Sequence, residues 1–454
     1  MKKILFLINA TLQITFFLSI INLAEAKITS KYNQPKEISD YFLGQLAIYD
    51  HDYTKSHKFF KQLEGLEDQH PPYSSAYLYS LINLGKFNEA YRYSNKLKKK
   101  NLAKFESNLV LAIYHLKNEK YELALQHINN VLAKKDLGPF QVLIAKSLNS
   151  WLNFYNLDEK QAKSLLNSNT AIFQNISKIQ NTFLHCYYDS SSTEKVFNDL
   201  VSDEKTNFSR YNFFFSNYLL KKEKTVEAKN VLKKSLEKNS RNLILNQLQL
   251  DLQFSKKAVN NLFDCQNLSH ITAEILYVVS NALSSQSNYL ASNFYLNLAR
   301  YLNPNFVSYE MLLAENYRQL KNFKKSETLY GEISDKGFFY SWHSSRQIAF
   351  IKIQENKKED ALDFLTKKYS NIKNPDVYQT FEYALFLTNN DKFKDSIKFF
   401  TQVLNLINKD HSLYPSAKEM RGTAFDKIGD WAKAENDLIN SIDADPNQAY
   451  VINY

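Results

Sequence analysis

The sequence predicts an all-α protein built from repeated antiparallel helix pairs, and three observations carry that reading. Glycine and proline number 8 each in 454 residues, about 2% apiece against typical usage near 7% and 5%. So few turn-forming residues exclude collagen-like and loop-rich all-β chains. Segments such as 108–116 and 122–132 place apolar residues three and four apart, the spacing of one helix face. A pattern of small and large residues recurs with a period near 34.

The composition, 44% apolar and 23% charged, is that of a folded chain rather than a disordered one. Two cysteines exclude a disulfide-stapled scaffold and a four-cysteine zinc site. The net charge is +10, but only 7 of the 57 basic residues are arginine. Arginine is the side chain suited to forked contacts with phosphates and bases. The basicity therefore points to anionic surfaces rather than nucleic acid, and no nucleic-acid partner is expected.

Residues 1–26 read as a secretory signal peptide. Lys2 and Lys3 form a basic start, Ile4 to Leu23 an apolar stretch, and Ala24-Glu25-Ala26 the small residues that a signal peptidase reads. Cleavage is expected after Ala26, giving a periplasmic chain with no stable membrane insertion. Residues 27–36 form a short linker.

The last repeat is the clearest. Counting from Pro415 as position 1, a small residue, Gly422, falls at position 8 and Phe425 at 11. Gly429 is at 15, Trp431 at 17, Ala434 at 20, Leu438 at 24 and Pro446 at 32. Small residues at 8 and 20 let the two helices touch, and larger ones at 11, 17 and 24 fill the flanks. The same template starts at Glu37, Pro71 and Phe105, and again at Ala273, Val307, Trp342 and Val377. The sequence thus divides into N-terminal repeats over 37–138, degenerate helical repeats over 139–272 and C-terminal repeats over 273–446. Residues 447–454 read as the start of an incomplete further repeat. In the degenerate stretch helix pairs are expected near 143, 177, 209 and 241. All eight prolines fall at or near repeat junctions, where a helix must break.

This pattern resembles the tetratricopeptide repeat (TPR). The order of Tyr41-Phe42-Leu43-Gly44, Leu298–Pro304, Arg421–Phe425 and Gly429–Glu435 resembles that of exported alphaproteobacterial TPR proteins of unassigned function. The resemblance implies a right-handed superhelical solenoid of about twelve pairs, in which stacking neighbours build one continuous core. It also implies a concave groove lined by the first helix of each pair. That register nominates Tyr41, Tyr49, Tyr79, Trp151, Tyr155, Asn217, Tyr277, Asn281, Arg318, Arg346 and Phe381 as candidate partner-binding residues. Aromatics beside amides suit an extended peptide, since rings stack on its side chains and amides bond its backbone.

No catalytic pattern emerges. The nine histidines include no His-Glu-x-x-His and no pair three or four apart on a helix, so no metal site is expected. There is no Gly-x-Ser-x-Gly and no phosphate-cradling glycine loop, so no cofactor is expected. Cys186 and Cys265 lie 79 residues apart, more than two repeats along a stack. A disulfide needs α-carbons within about 7 Å, so none is expected between them. The functional expectation is an exported, non-catalytic scaffold binding a protein or peptide partner in the cell envelope. Two alternatives stand beside it: the substrate-guiding solenoid of a cell-wall-cleaving enzyme whose catalytic domain is absent, and a small-molecule carrier of the envelope.

Overall fold

The structure is a computed structural model, and it describes residues 35–134, 136–167, 174–203, 205–254 and 261–446. The leader, most of the linker and the incomplete final repeat at 447–454 lie outside the described residues. Among those residues the chain is all-α, with 23 α-helices, one short 3₁₀ turn and a single isolated β-bridge. It divides between Leu111 and Ala112 into two compact units.

One turn geometry is repeated throughout. At ten turns between the first and second helix of a pair, one residue takes the left-handed conformation. Glycine supplies it at Gly85 and Gly429. Elsewhere the residue is His51, Glu119, Asp189, Glu223, Ser287, Lys321, Asn356 or Asp391, at φ from 52° to 64°. Each turn closes the same way. In the turn at Gly85, the Gly85 N–H donates to Ile82 O and the Lys86 N–H to Leu81 O. In the turn at Asn356, the Asn356 N–H donates to Ile353 O and the Lys357 N–H to Lys352 O. This pair of bonds satisfies carbonyls that a helix end leaves bare. Except after Asp189, the next residue caps the second helix, and where it is Asp52, Asn288 or Asn322 its side chain accepts a backbone N–H of the first turn.

The first unit holds helices Pro35–Tyr49, Tyr53–Lys61, Pro71–Asn83 and Phe87–Lys99, and the division falls inside Phe105–Lys117. Gly44 sits where a Cβ would come within 2.5 Å of the Phe60 ring. A glycine there lets that fully buried ring reach the first helix. Glu67 is also fully buried, and Lys96 and Lys100 both reach it. Burial opposes its charge, yet these lysines and backbone N–H groups hold its carboxyl down at about 2.

In the second unit the regular pairs meet through small residues at positions 8 and 20. The Ser292 hydroxyl donates to Ser280 O, and that of Ser326 to Ala314 O, each at 2.8 Å. Ala349, Ala361, Ala384, Ser396, Ala424 and Ala434 are at most 3% exposed. A Cβ on Gly422 would lie 3.2 Å from the Ala434 carbonyl.

The stretch after residue 173 departs from that order. Three of the four expected pairs have both helices: Pro139–Phe154 with Glu159–Asn167, Gln174–Tyr187 with Thr193–Val201, and Tyr211–Lys221 with Thr225–Lys238. The fourth has its first helix, Leu243–Gln253, but 261–267 is extended and turn-like instead of helical. Asn261 pairs with Phe306 as the isolated bridge, and its side chain donates to the Tyr340 hydroxyl at 2.8 Å. Phe263 enters a cluster with Phe183, Phe214 and Phe306. Helix Leu243–Gln253 packs on Phe338–Gln354, and Leu268–Ser285 packs on Pro139–Phe154. The chain therefore returns on itself here.

That return corrects the expectation about the cysteines. Cys186 and Cys265 are joined in a disulfide with α-carbons 5.9 Å apart. The expectation assumed that distance along the chain is distance along a linear stack. The extended segment brings Cys265 back beside helix Gln174–Tyr187 and breaks that equivalence.

Candidate functional site

The eleven nominated residues fall into different environments. In the first unit, Tyr49 is 80% exposed at the end of its helix. Tyr41 is half-buried, its hydroxyl 2.6 Å from His70 Nε2 and accepting from Gln45. Tyr79 is half-buried. In the second unit, Trp151 and Phe381 are core residues, 1% and 4% exposed. The Trp151 indole N–H donates to Gln180 at 3.2 Å, and the Phe381 ring packs on Phe400. The Tyr155 hydroxyl bonds Glu122. Asn217 donates to its own helix at Phe213 O. Asn281 is exposed. Arg318 is held by Glu315 and lies over the Phe350 ring.

Tyr277 is covered by the chain itself. The Arg210 guanidinium stacks on its ring at 4.1 Å and forks onto Glu274 with two bonds of 2.8 Å. A third N–H of Arg210 donates to Ser308. The carboxylate is 1% exposed, and Arg210 is its only cationic partner among the described residues, with the Tyr309 hydroxyl also donating to it at 3.5 Å.

Arg346 alone of the eleven lines a distinct pocket of about 590 Å³ in the second unit. One wall comes from helices Thr225–Lys238 and Leu243–Gln253 with the junction between them, the other from Phe338–Gln354 and the start of Val377–Thr388. Phe339, Trp342 and Tyr378 give it aromatic walls. Glu382 accepts from the Trp342 indole at 2.8 Å and pairs with Arg346 at 2.6 Å. Burial pushes the Arg346 guanidinium below its ordinary value, the like charge of Arg241 adds to that, and Glu382 works against both. Arg241 lies 5.9 Å over Tyr378 and 5.8 Å over Phe381 and has no carboxylate partner among the described residues. His343 is driven down to about 4, by burial first and then by the Arg346 charge, so its ring is neutral at neutral pH.

Gln379 completes the pocket. It is 2% exposed. Its Oε1 accepts the Asp376 N–H, closing a capping box at the helix start. Its Nε2 donor is buried with no acceptor. Sequence reasoning missed Arg241 and Gln379. Arg241 sits at a repeat junction and Gln379 at position 3 of its repeat, so neither falls on the groove register. The pocket exists because a degenerate helix folds against a regular one, and no periodicity encodes that meeting.

Among the described residues, no group of three or more His, Cys, Asp or Glu side chains is arranged to hold a metal ion, and no helix is long and apolar enough to cross a membrane. No protein-family profile matches the chain, and no curated protein does. Solved structures are similar to it at low identity. Yeast Tom70 is similar at 14% identity over 92% of this chain and 93% of its own, with a TM-score of 0.32. The Cut9 complex with Hcn1 of the APC/C is similar at 13% over 92% and 89%, with a TM-score of 0.29. YrrB, described as a TPR protein with an unusual peptide-binding site, is similar at 15% over 40% of this chain and 90% of its own, with a TM-score of 0.28.

Proposed function

We propose that this chain is an exported, non-catalytic scaffold that binds protein or peptide partners through exposed faces of its helix pairs. The observation that carries the reading is the open face of helix Pro35–Tyr49. Ile38, Phe42, Leu46 and Tyr49 are 53%, 65%, 55% and 80% exposed. They recur at helical spacing, so their side chains form one apolar stripe. A contiguous apolar surface of this kind marks a protein–protein contact. Repeats held rigid by their turns lower the ordering cost of such a contact.

Two features support export to the periplasm. The leader pattern of residues 1–26 is one. The Cys186–Cys265 disulfide is the other, since such bonds persist in oxidising compartments.

The test is crosslinking and co-purification of the tagged protein from an envelope fraction, in parallel with Phe42→Asp and Leu46→Asp. One stoichiometric partner, lost in both variants, is the expected result. A partner retained by both variants, or none recovered from a folded periplasmic chain, overturns the reading. Recovery of the protein in the cytoplasm with residues 1–26 intact overturns the export part alone.

A further inference from the structure

Two donor-bearing side chains that line the pocket of the second unit lack an acceptor or carboxylate partner. Arg241 has no carboxylate partner, and the Gln379 Nε2 is a buried donor with no acceptor. The two carboxylates beside them are engaged. Glu382 is engaged at both oxygens by Trp342 and Arg346. Asp376 caps its helix by accepting the Gln379 N–H at 2.7 Å. Lys233 and Glu237 are exposed and balance each other in charge. An unmet buried donor is costly, and an acceptor brought by a ligand removes that cost.

The volume and the walls narrow the ligand further. About 590 Å³ is the size of a small-molecule site, not of an extended peptide groove. Phe339, Trp342 and Tyr378 offer aromatic surface for an apolar body. A planar guanidinium matches a planar carboxylate. A doubly charged phosphate fits less well, because Asp376 and Glu382 line the same space.

We propose that this pocket binds a small organic carboxylate carried on an apolar or aromatic body, its oxygens taking the donors of Arg241 and Gln379. This is a second binding function, and it does not depend on the partner surface of the first unit. The same chemistry is offered by a free acid and by the C-terminal residue of a peptide.

The probe is 3-phenylpropionate, titrated into the protein expressed from its complete sequence. Binding is read by calorimetry and by the change in tryptophan emission. The acid is expected to bind saturably and its amide at least about tenfold more weakly. Arg241 is exposed, so Arg241→Ala keeps the fold, checked by circular dichroism. It is expected to weaken the acid about ten- to hundredfold, the span of a charge-assisted bond. Arg241→Lys should recover part of that loss. Acetyl-Gly-Phe with a free terminus, binding tighter than 3-phenylpropionate, assigns the carboxylate to a chain end. Weaker binding of that peptide assigns it to a free acid, and either result upholds the carboxylate. Four outcomes overturn the proposal: no saturable binding at about 10 mM, equal affinity for acid and amide, an unaffected Arg241→Ala, or competition by inorganic phosphate stronger than by acetate.

Discussion

The regular pairs from Val307 to Ala444 and the stretch from Gln174 to Asn267 use the same turn but are held together differently. In the regular pairs, contacts run between neighbours through small residues, such as Ser326 on Ala314. In the middle stretch the decisive contacts are distant in sequence. Arg210 reaches Ser308, 98 residues on, Gln247 reaches the Phe339 N–H, 92 residues on, and Cys186 is bonded to Cys265, 79 residues on. The Tyr211–Lys221 and Thr225–Lys238 pair keeps small buried residues at Ser216 and Ala228, and what the middle stretch adds is an ion pair, an aromatic cluster and a covalent bond.

The sharpest way to break this contrast is Arg210→Leu. It strands a buried carboxylate at Glu274, and a loss of about 3–5 kcal/mol in urea unfolding is expected. The double variant Arg210→Met with Glu274→Leu should recover most of it, because no charge is then left unpaired. Cys186→Ser with Cys265→Ser comes next, at about 2–4 kcal/mol. Limited proteolysis should show the new cleavage within 174–267, with 307–444 protected. If cleavage falls in the regular pairs instead, the two sections are one cooperative unit.

Acidification probes where the two sections meet. The folded-state value of His343 is about 4 against an ordinary 6.5. The unfolded chain therefore binds the proton first, so stability falls as pH drops from about 6.5 to about 4 and levels off below. The expected contribution is about 3 kcal/mol, and His343→Gln should flatten the melting-temperature profile over that window. In the regular pairs, Ala349→Leu overfills a fully buried contact at a cost of about 1–3 kcal/mol. The smallest effect is Lys321→Gly. Its φ of 58° is one that glycine adopts freely, and a gain below about 1 kcal/mol is expected.

These same residues show what was legible in the sequence. Position 15 was read from glycine, yet only Gly85 and Gly429 of the ten left-handed turn residues are glycine. The others follow because the packing of Ala, Ser and aromatic residues at positions 8, 11, 20 and 24 dictates where the first helix ends. That apolar pattern carries the period, so the fold class and most helix pairs could be read. The pocket could not be read. Arg346 was found because it lies on the repeat register, but Arg241 and Gln379 belong to a contact between helices far apart in sequence. Trp151 and Phe381 were nominated by register and proved to be core, since register assigns a helix face and not a depth.

The long reach of Arg210 also sets an order of events as the chain folds. A regular pair such as Val307–Gln319 with Phe323–Ser334 closes on residues near in sequence, as Ser326 does on Ala314. Arg210 and the Phe213-Phe214-Phe215 run beside it have no complete surroundings until Phe306 and Ser308 exist. Until these close, a bulky apolar segment with a lone cation stands open to solvent, which makes the middle of this chain the natural point of engagement for a chaperone.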